Sequence, residues 1–390
     1  MLDFSICIPT RIHFGKTALS HLPEEIERYG HRVLMVYGGG SIHQNGLYDQ
    51  IRKVLDECGC DVTELSGVQP NPRLGLVRRG IQRAKELQTE LVLCVGGGSV
   101  IDTGKAIATG ACYEGDVWDF FEKGVVPKKA LPLGTILTIA ASGSEMSNSC
   151  VITREEDTCK RGCNVQANCP AFSILNPKYT MSVSPYQTAC GIVDIMSHMM
   201  ERYFSPTEHV ELTDRLIEAG LKTVIHNGEI VMGDLTNYDA RAELMWAGAI
   251  AHNRLLDTGR ATDWASHKLE HELSALYDIA HGAGLAIITP AWMKYVLSKG
   301  QAWKLKQFAE RVFDVSLGFG TEEEIAAEGV RRMTAYFESI GMKTTLHEAG
   351  IGNENFHRMA QRAAAMAGGA CGGYVRLSAE DCEKIYQLAE

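Results

Sequence analysis

The sequence lacks the features that mark several broad classes of protein. It has no run of about 20 apolar residues, the length that a membrane span needs, and no basic segment followed by a long apolar stretch near its start. It also lacks an excess of basic residues, since 38 lysines and arginines face 48 acidic residues and the formal net charge is -10. These absences argue against membrane and nucleic-acid partners, so we expect a cytoplasmic protein with a small-molecule substrate.

Cysteine is too sparse to form a disulfide framework, because only 12 occur in 390 residues. Several lie inside apolar runs, as Cys94 does in Leu-Val-Leu-Cys-Val, which is typical of reduced and buried thiols. Paired CxxC spacing is missing as well, since a single residue separates Cys58 from Cys60. A closed structural zinc site built from cysteines is therefore not expected.

The first half of the chain alternates short apolar segments with amphipathic helical ones. Residues 32–37, 61–65 and 91–95 have the length and composition of strands, and helical segments separate them. This alternation predicts a parallel sheet with helices on both faces and with ligands at the carboxyl ends of its strands.

Past Pro185 helical spacing dominates, and no comparable series of strands follows. We therefore expect an α/β dinucleotide-binding domain over residues 1–185 and an all-helical, metal-binding domain over residues 186–390. The boundary depends on this change of pattern alone, because neither a repeat nor a low-complexity linker marks it.

Two Gly-Gly-Gly-Ser turns, at residues 38–41 and 96–99, each follow a predicted strand. Bare backbone at such a place can approach a phosphate and donate N–H groups to it. Neither turn is a GxGxxG motif, and the second is not an ATPase phosphate loop, because five residues separate Gly98 from Gly104 and Ala106 replaces the required Ser or Thr. One such turn could be only a tight turn, but two in one parallel sheet predict a nucleotide site.

Two segments of the second half supply one carboxylate and four imidazoles. Asp194 and His198 lie four residues apart and so share a helical face, and His267, His271 and His281 follow downstream. A carboxylate among apolar residues is costly unless it is paired or binds a cation. One Asp oxygen with two or three His nitrogens suits Fe(II) or Zn(II) with an open position for catalysis. Spacing alone does not choose between His267 and His271.

Several runs resemble a known family: Gly96-Gly-Gly-Ser-Val-Ile-Asp102, Gly143-Ser-Glu-Met146, Gly191-Ile-Val-Asp194 with His198, and the stretch from His267 to Gly284. They are similar to the iron-containing alcohol dehydrogenases, closest to the NADPH-dependent butanol dehydrogenase branch. The resemblance covers nearly the whole chain. It implies a dehydroquinate synthase-like architecture, NADP(H), one divalent metal with iron favoured over zinc, and a homodimer.

The resemblance also implies roles for individual residues. Asp194, His198, His267 and His281 would be the metal ligands, and His271 would line the site near the nicotinamide and substrate as the candidate catalytic residue. The cofactor contacts would be Gly38, Gly39, Ser41 and Asn71 at the adenosine end, Gly97, Gly98, Ser99 and Asp102 on the pyrophosphate and nicotinamide side, and Thr138, Ser147, Lys160 and Tyr179 elsewhere. The sequence departs from the family pattern at Ser147 and Cys190, where Asn is usual.

The expected reaction is reversible hydride transfer between NADPH and an aldehyde, giving a primary alcohol. No carboxylate follows the strand at 32–37, where an acid would bond the ribose 2′-hydroxyl of NAD and repel the 2′-phosphate of NADP, so NADPH is the expected cofactor. One alternative is a metal-dependent lyase or synthase of the dehydroquinate synthase type, which would need more basic residues near the metal motifs. A second is a metal-binding protein without catalytic activity.

Overall fold

The computed structural model describes all 390 residues, and the chain divides into two compact units. The first, here called the sheet unit, comprises residues Cys7–Val183 and Leu235–Asn253. The second, the helical unit, comprises Met1–Ile6, Ser184–Asp234 and Arg254–Glu390.

A six-stranded sheet with the order β1-β8-β5-β4-β2-β3 forms the centre of the sheet unit, and all its pairings are parallel. The predicted parallel sheet is thus confirmed. Its strands are β1 (Arg11–Phe14), β2 (Arg32–Tyr37), β3 (Asp61–Leu65), β4 (Leu91–Gly96), β5 (Leu133–Leu137) and β8 (Phe172–Leu175). The α-helices of this unit are α1 (Leu22–Tyr29), α2 (Ser41–Gln44), α3 (Leu47–Glu57), α4 (Leu74–Glu86), α5 (Gly98–Ala111), α6 (Asp119–Glu122) and α9 (Tyr238–His252).

The central strands are apolar along their whole length because both of their faces are covered. Alternate side chains of β2 and β4 enter two separate cores: Leu34, Val36, Val92 and Cys94 on one face, and Val33, Met35, Leu91 and Leu93 on the other. Strands β2 and β4 are neighbours with Val36 opposite Cys94, so the two glycine turns that follow them lie at the same edge of the sheet.

An antiparallel hairpin, β6 (Ser149–Arg154) and β7 (Cys159–Asn164), forms a second small sheet that the sequence analysis did not predict. Its strands carry charged residues and glycine rather than an apolar alternation. Cys150, Ile152, Cys159 and Cys163 nevertheless point into the core beside α5. The buried Lys105 of α5 donates to the carbonyl oxygen of Ser149 at 2.7 Å and so fixes the start of the hairpin.

The helical unit contains only helices as regular structure, as predicted. They are α7 (Pro185–Tyr203), α8 (Glu211–Gly233), α10 (Ala265–Tyr277), α11 (His281–Ser298), α12 (Ala302–Val312), α13 (Glu322–Ser339), α14 (Phe356–Met366) and α15 (Ala379–Leu388). Ser184 is the N-cap of α7, and its side chain accepts from the backbone N–H of Gln187. Proline occupies the first helical position, residue 185. None of the helices in the chain is both long enough and apolar enough to span a membrane.

The two units are not consecutive along the chain as expected, because two segments belong to the other unit. The change of unit at 183/184 lies beside the expected boundary at 185/186, but residues 1–6 belong to the helical unit and residues 235–253, with α9, to the sheet unit. Within the sheet unit, His252 of α9 contacts the carbonyl oxygen of Ser142 through Nδ1 at 2.9 Å, and Lys16 lies over the ring of Tyr238. A helical pattern gives no indication of the unit against which a helix packs.

Candidate active site

Three helices of the helical unit bring the predicted ligands together. Helix α7 carries Asp194 and His198, α10 carries His267, and α11 begins at His281. Ligand atoms of Asp194, His267 and His281 lie within 4.8 Å of one another, which is a spacing that could hold one metal ion. His198 is not part of this set of three, but its ring lies beside it, with its centroid 4.5 Å from that of His267.

Glycines at the start of α11 permit this approach. A Cβ on Gly282 would lie 2.0 Å from the carbonyl oxygen of Cys190 in α7, and one on Gly284 would lie 2.7 Å from Cγ of Glu270 in α10. Any larger residue would hold α11 away from both helices. The His-Gly-Ala-Gly sequence therefore places His281 against the other candidate ligands.

The Nδ1 atom of each of the three imidazoles faces an oxygen, which leaves Nε2 as the nitrogen available to a metal. Nδ1 of His267 lies 2.8 Å from Oε1 of Glu201, and Nδ1 of His281 is hydrogen-bonded to Oε2 of Glu270. Nδ1 of His198 lies 2.9 Å from the carbonyl oxygen of Asp194, one helical turn earlier, and 3.0 Å from Oδ1 of that residue. An acceptor at Nδ1 places the proton there and exposes the Nε2 lone pair.

Burial and neighbouring charge set the protonation states of this group. Burial, together with His198 and His281, holds the pKa of His267 well below its ordinary value, so the ring is neutral and able to bind a metal. Burial alone would raise the pKa of Asp194, but the surrounding histidines, His198 foremost, lower it below its ordinary value. The site therefore combines an ionised carboxylate with a neutral imidazole.

A divalent metal fits the residues present. Nε2 of His267 is buried and has no hydrogen-bond partner, and such an orphaned polar atom is uncommon in a protein interior. Nε2 of His281 points toward Asp194, with 3.7 Å between it and Oδ1. One carboxylate oxygen with imidazole nitrogens is a donor set that suits Fe(II) or Zn(II).

The structure separates His267 from His271, a distinction that spacing alone could not make. His267 is buried and grouped with Asp194, whereas His271, one turn later on α10, is half-buried and grouped with Glu270 and His281. The ring centroids of His271 and His281 lie 5.6 Å apart. His271 thus lies beside the candidate metal ligands and is partly accessible to solvent.

In the sheet unit, the second glycine turn joins β4 to α5 and is shaped by close packing. A Cβ on Gly97 would lie 2.2 Å from Cγ2 of Ile139, and one on Gly98 would lie 2.3 Å from Oγ of Ser142. Gly97 is the N-cap of α5, and Ser99 lies in the first turn of that helix. Backbone N–H groups at such a helix start form a site for a phosphate.

The first glycine turn is more open. A Cβ on Gly38 would meet the carbonyl oxygen of Val68 at 3.4 Å, an ordinary contact, and one on Gly39 would meet nothing within 4 Å. Ser41, the first residue of α2, is exposed. This turn can therefore accommodate a bulky group of a ligand.

Two predicted cofactor residues are engaged by the polypeptide itself. The half-buried carboxylate of Asp102 accepts from Oγ of Ser144 at 2.6 Å and from the N–H of Val151 at 2.8 Å, and desolvation raises its pKa. Oγ of Ser147 accepts from the N–H of Ser149 at 3.2 Å. Both residues fix the segment between β5 and β6, and their contact with a cofactor stays a prediction.

The remaining predicted cofactor residues lie near the two turns or in the adjoining core. Nζ of Lys160 donates to Oδ1 of Asn71 at 3.0 Å, and both residues are buried. Lys160 belongs to β7, and its side chain is buried rather than solvated. The N–H of Thr138 donates to the carbonyl oxygen of Gly96 at the second turn, and Tyr179 packs against the core that contains β2.

Sequence reasoning missed two buried residues that support this site, Glu201 and Glu270. A signal for both was present, because each follows a candidate ligand by three residues, Glu201 after His198 and Glu270 after His267. That spacing places each pair on one helical face, where a carboxylate within an apolar segment requires a partner.

Comparison with known proteins gives two family matches that together cover most of the chain. The family model described as iron-containing alcohol dehydrogenase matches residues 9–177, and the one described as the C-terminal part of the Fe-containing alcohol dehydrogenase family matches residues 188–389.

Individual relatives agree with the family matches. The chain is 45% identical over 389 residues to probable NADH-dependent butanol dehydrogenase 1 of Bacillus subtilis, with 100% of both chains covered. It is 37% identical to the NADPH-dependent aldehyde reductase YqhD of Escherichia coli, over 90% of each chain. Among solved structures, NADH-dependent butanol dehydrogenase A of Thermotoga maritima matches with a TM-score of 0.95 and 39% identity, covering 100% of this chain and 99% of that one.

Proposed function

Since the chain belongs to the iron-containing alcohol dehydrogenase family, we propose that it transfers hydride reversibly between NADP(H) and a primary alcohol or its aldehyde, of the butanol type. The single observation that carries this proposal is the convergence of Asp194, His267 and His281, with the Nε2 atoms of the histidines available to a metal. The proposed substrate class follows the relatives, whose names specify butanol dehydrogenase and aldehyde reductase activity.

In this proposal Asp194, His198, His267 and His281 hold one divalent metal, with iron favoured over zinc. The metal, when bound, supplies a Lewis acid for the substrate oxygen, and NADPH supplies the hydride. The protein contributes a site of fixed geometry. Close packing at Gly282 and Gly284 and the acceptors at Nδ1 hold the histidine rings in place before metal or substrate binds.

His271 is the proposed proton relay. Its ring lies beside His281 and is partly exposed, so an imidazole nitrogen of His271 can exchange a proton with solvent and pass it to the substrate oxygen as the alcohol forms. The oxygens at Nδ1 of the three candidate ligand rings come from Asp194, Glu201 and Glu270.

The proposed preference for NADPH depends on the open first glycine turn. No carboxylate stands at the end of β2, and the space around Gly38 and Gly39 can accept the 2′-phosphate near Ser41 and backbone N–H groups. The relatives carry both cofactors in their names, NADH for the Bacillus protein and NADPH for YqhD. Steady-state kinetics with both cofactors and one aldehyde decides this part of the proposal.

The two alternative functions are not favoured. Both family matches and all the relatives named above are alcohol dehydrogenases or aldehyde reductases, and none is a lyase, a synthase or a non-catalytic protein.

We also propose a homodimer. Strand β1 is at the edge of the sheet, and residues 1–6 expose Leu2, Phe4 and Ile6 at alternate positions. Exposed apolar side chains and an unpaired sheet edge both favour burial against another surface. Light scattering on the purified protein should give about twice the chain mass of 42.7 kDa, and a mass equal to that of one chain would contradict the dimer.

The decisive experiment combines activity with metal content. Protein loaded with Fe(II) should oxidise NADPH in the presence of butyraldehyde, as measured by the loss of nicotinamide absorbance. Asp194→Ala should neither retain metal nor oxidise NADPH, because it removes the only carboxylate ligand. A full metal complement in Asp194→Ala, measured by elemental analysis, would contradict the ligand assignment, and an inactive but fully loaded wild type would contradict the reaction.

A further inference from the structure

Two buried carboxylates lie behind two of the candidate metal ligands, one behind each. We propose that Glu201 and Glu270 are positioning residues, each of which fixes the tautomer and orientation of one ligand, Glu201 for His267 and Glu270 for His281. This inference rests on the proposed metal site and identifies what determines the strength of metal binding there.

Glu201 controls both the ring and the backbone of His267. Its Oε1 accepts from the backbone N–H of His267 at 2.9 Å and faces Nδ1 of the same residue at 2.8 Å. Because Oε1 of Glu201 bonds both the backbone nitrogen and Nδ1 of His267, the imidazole cannot rotate about χ1 without breaking a buried hydrogen bond. Nε2 is thereby fixed on the side opposite Glu201, where it has no hydrogen-bond partner within the protein.

The second oxygen of Glu201 holds the start of the helix that carries His267. Oε2 accepts from the backbone N–H of Trp264, the N-cap of α10, which has left-handed backbone with φ of 65°. The N-cap side chain makes no capping bond; Asp263 accepts from the N–H of Ala265 at 3.2 Å, and the carboxylate from α7 accepts from the N–H groups of Trp264 and His267. Glu201 therefore fixes α10 relative to the Asp194 helix.

Glu270 acts on His281 through the side chain alone. One carboxylate oxygen is hydrogen-bonded to Nδ1 of His281, and the other to Oγ of Ser274. The residue has no exposed surface, and Gly284 of α11 packs directly against its side chain. The carboxylate is therefore enclosed between α10 and α11.

The chemistry of a carboxylate at Nδ1 explains why both positions are acidic. The anion holds the proton on Nδ1, and its charge makes the Nε2 lone pair a stronger donor to a cation. The third histidine, His198, differs: the oxygen at its Nδ1 is the backbone carbonyl of Asp194 in the same helix. Two of the three rings thus depend on a charged group from elsewhere in the sequence, and the third depends on helix geometry.

The test compares Zn²⁺ affinity of metal-free protein, measured by competition with a chromophoric chelator, for Glu201→Ala, Glu201→Gln, Glu270→Ala and Glu270→Gln. Loss of such a supporting group typically weakens metal binding about 10- to 100-fold, and we expect that loss in both alanine variants. The glutamine variants should lie between them and the wild type, because the amide oxygen keeps the hydrogen bond at Nδ1 but not the charge. The visible spectrum of the Co²⁺ form should change in the same order.

Glu272→Gln is the matched control. Glu272 is also buried on α10, but it forms an ion pair with Arg362 at 2.9 Å rather than with a ligand histidine. Its substitution should lower thermal stability without changing Zn²⁺ affinity. Should an alanine variant fail to fold, which circular dichroism would show, the isosteric glutamine variant decides the case.

Wild-type Zn²⁺ affinity in Glu201→Gln and Glu270→Gln, or an equal loss of affinity in Glu272→Gln, would overturn the inference. Failure of the metal site itself gives a different result: His267→Ala would then bind Zn²⁺ as tightly as the wild type. The two hypotheses can therefore fail independently.

Discussion

The packing of α11 against α7 can be tested with a single methyl group, in Gly282→Ala. The added Cβ would lie 2.0 Å from the carbonyl oxygen of Cys190, 2.6 Å from its carbonyl carbon and 2.8 Å from its Cα. These are backbone atoms in the middle of a buried helix, so they cannot rotate away as a side chain would. Because ordinary contacts begin near 3.4 Å, the two helices must separate by about 1.4 Å.

The expected stability change is the difference between two terms. Overpacking of a core costs about 1–3 kcal/mol, and a clash with backbone belongs at the upper end of that range. Alanine is a better helix former than glycine by about 1 kcal/mol, which offsets part of that cost. We therefore expect Gly282→Ala to lower the free energy of unfolding by about 2 kcal/mol.

The same movement should damage the site. His281 precedes Gly282, and its Nε2 now lies 3.7 Å from Oδ1 of Asp194. A displacement of about 1 Å in a reacting group can lower a rate 10²-fold, and we expect a decrease of that order in turnover together with weaker metal binding.

Gly233→Ala supplies the control for this experiment. Gly233 is the last residue of α8, and a Cβ there would meet nothing within 4 Å. That variant should be as stable as the wild type or slightly more stable, because it gains helix propensity without a clash. Urea unfolding of the metal-free proteins gives the comparison. If Gly282→Ala and Gly233→Ala unfold at the same urea concentration, then close helix packing is not what requires glycine at position 282.

Three further substitutions have defined outcomes. Gly38→Asp should lower kcat/KM for NADPH by about 5- to 150-fold, equivalent to about 1–3 kcal/mol of repulsion with the 2′-phosphate. It should affect kcat/KM for NADH far less. An unchanged ratio of kcat/KM for the two cofactors would show that this turn does not distinguish them. His271→Ala should keep its metal, by elemental analysis, and lose turnover about 10²- to 10⁴-fold; metal-free protein would instead identify His271 as a ligand. Glu328→Gln tests pH dependence. Hydrogen bonds from Arg331 and Arg332 lower the pKa of the Glu328 carboxyl from 4.5 to about 2. The ionised carboxylate therefore stabilises the fold fully above pH 4.5, and this stabilisation is lost as the pH falls toward 2. The difference in unfolding free energy between wild type and Glu328→Gln should therefore shrink over that window, and a constant difference would contradict the assignment.

Regular hydrophobic patterns made much of the fold predictable. Strand β2 was expected at its observed bounds, Arg32–Tyr37, because a strand that is buried on both faces is apolar at every position. The hairpin was missed because strand β7, Cys-Lys-Arg-Gly-Cys-Asn, buries its two cysteines and a lysine among charged residues. Its strand character comes from pairing with β6, which is a tertiary effect.

At the site, sequence gave the types of ligand but not their arrangement. Asp194 and His198 could be paired by helical spacing, since both lie on α7. Spacing left His267 and His271 as alternatives, and the resemblance to the family assigned the metal to His267. The burial of His267 and its contact with Glu201, which lies 66 residues earlier, could not be read from spacing. Contacts between distant segments of this kind leave no periodic signal in the sequence.

The sheet topology has a consequence for synthesis of the protein on the ribosome. Strand β1 pairs only with β8, so residues 11–14 must wait for residues 172–175 to emerge before they can join the sheet. The sheet unit also needs α9, whose last residue is 252. A chain that ends near residue 185 should thus be an incomplete folding unit, because it lacks α9, and should be prone to aggregation or chaperone binding. No single cut of the chain separates the two units, because residues 184–234 of the helical unit precede α9 of the sheet unit.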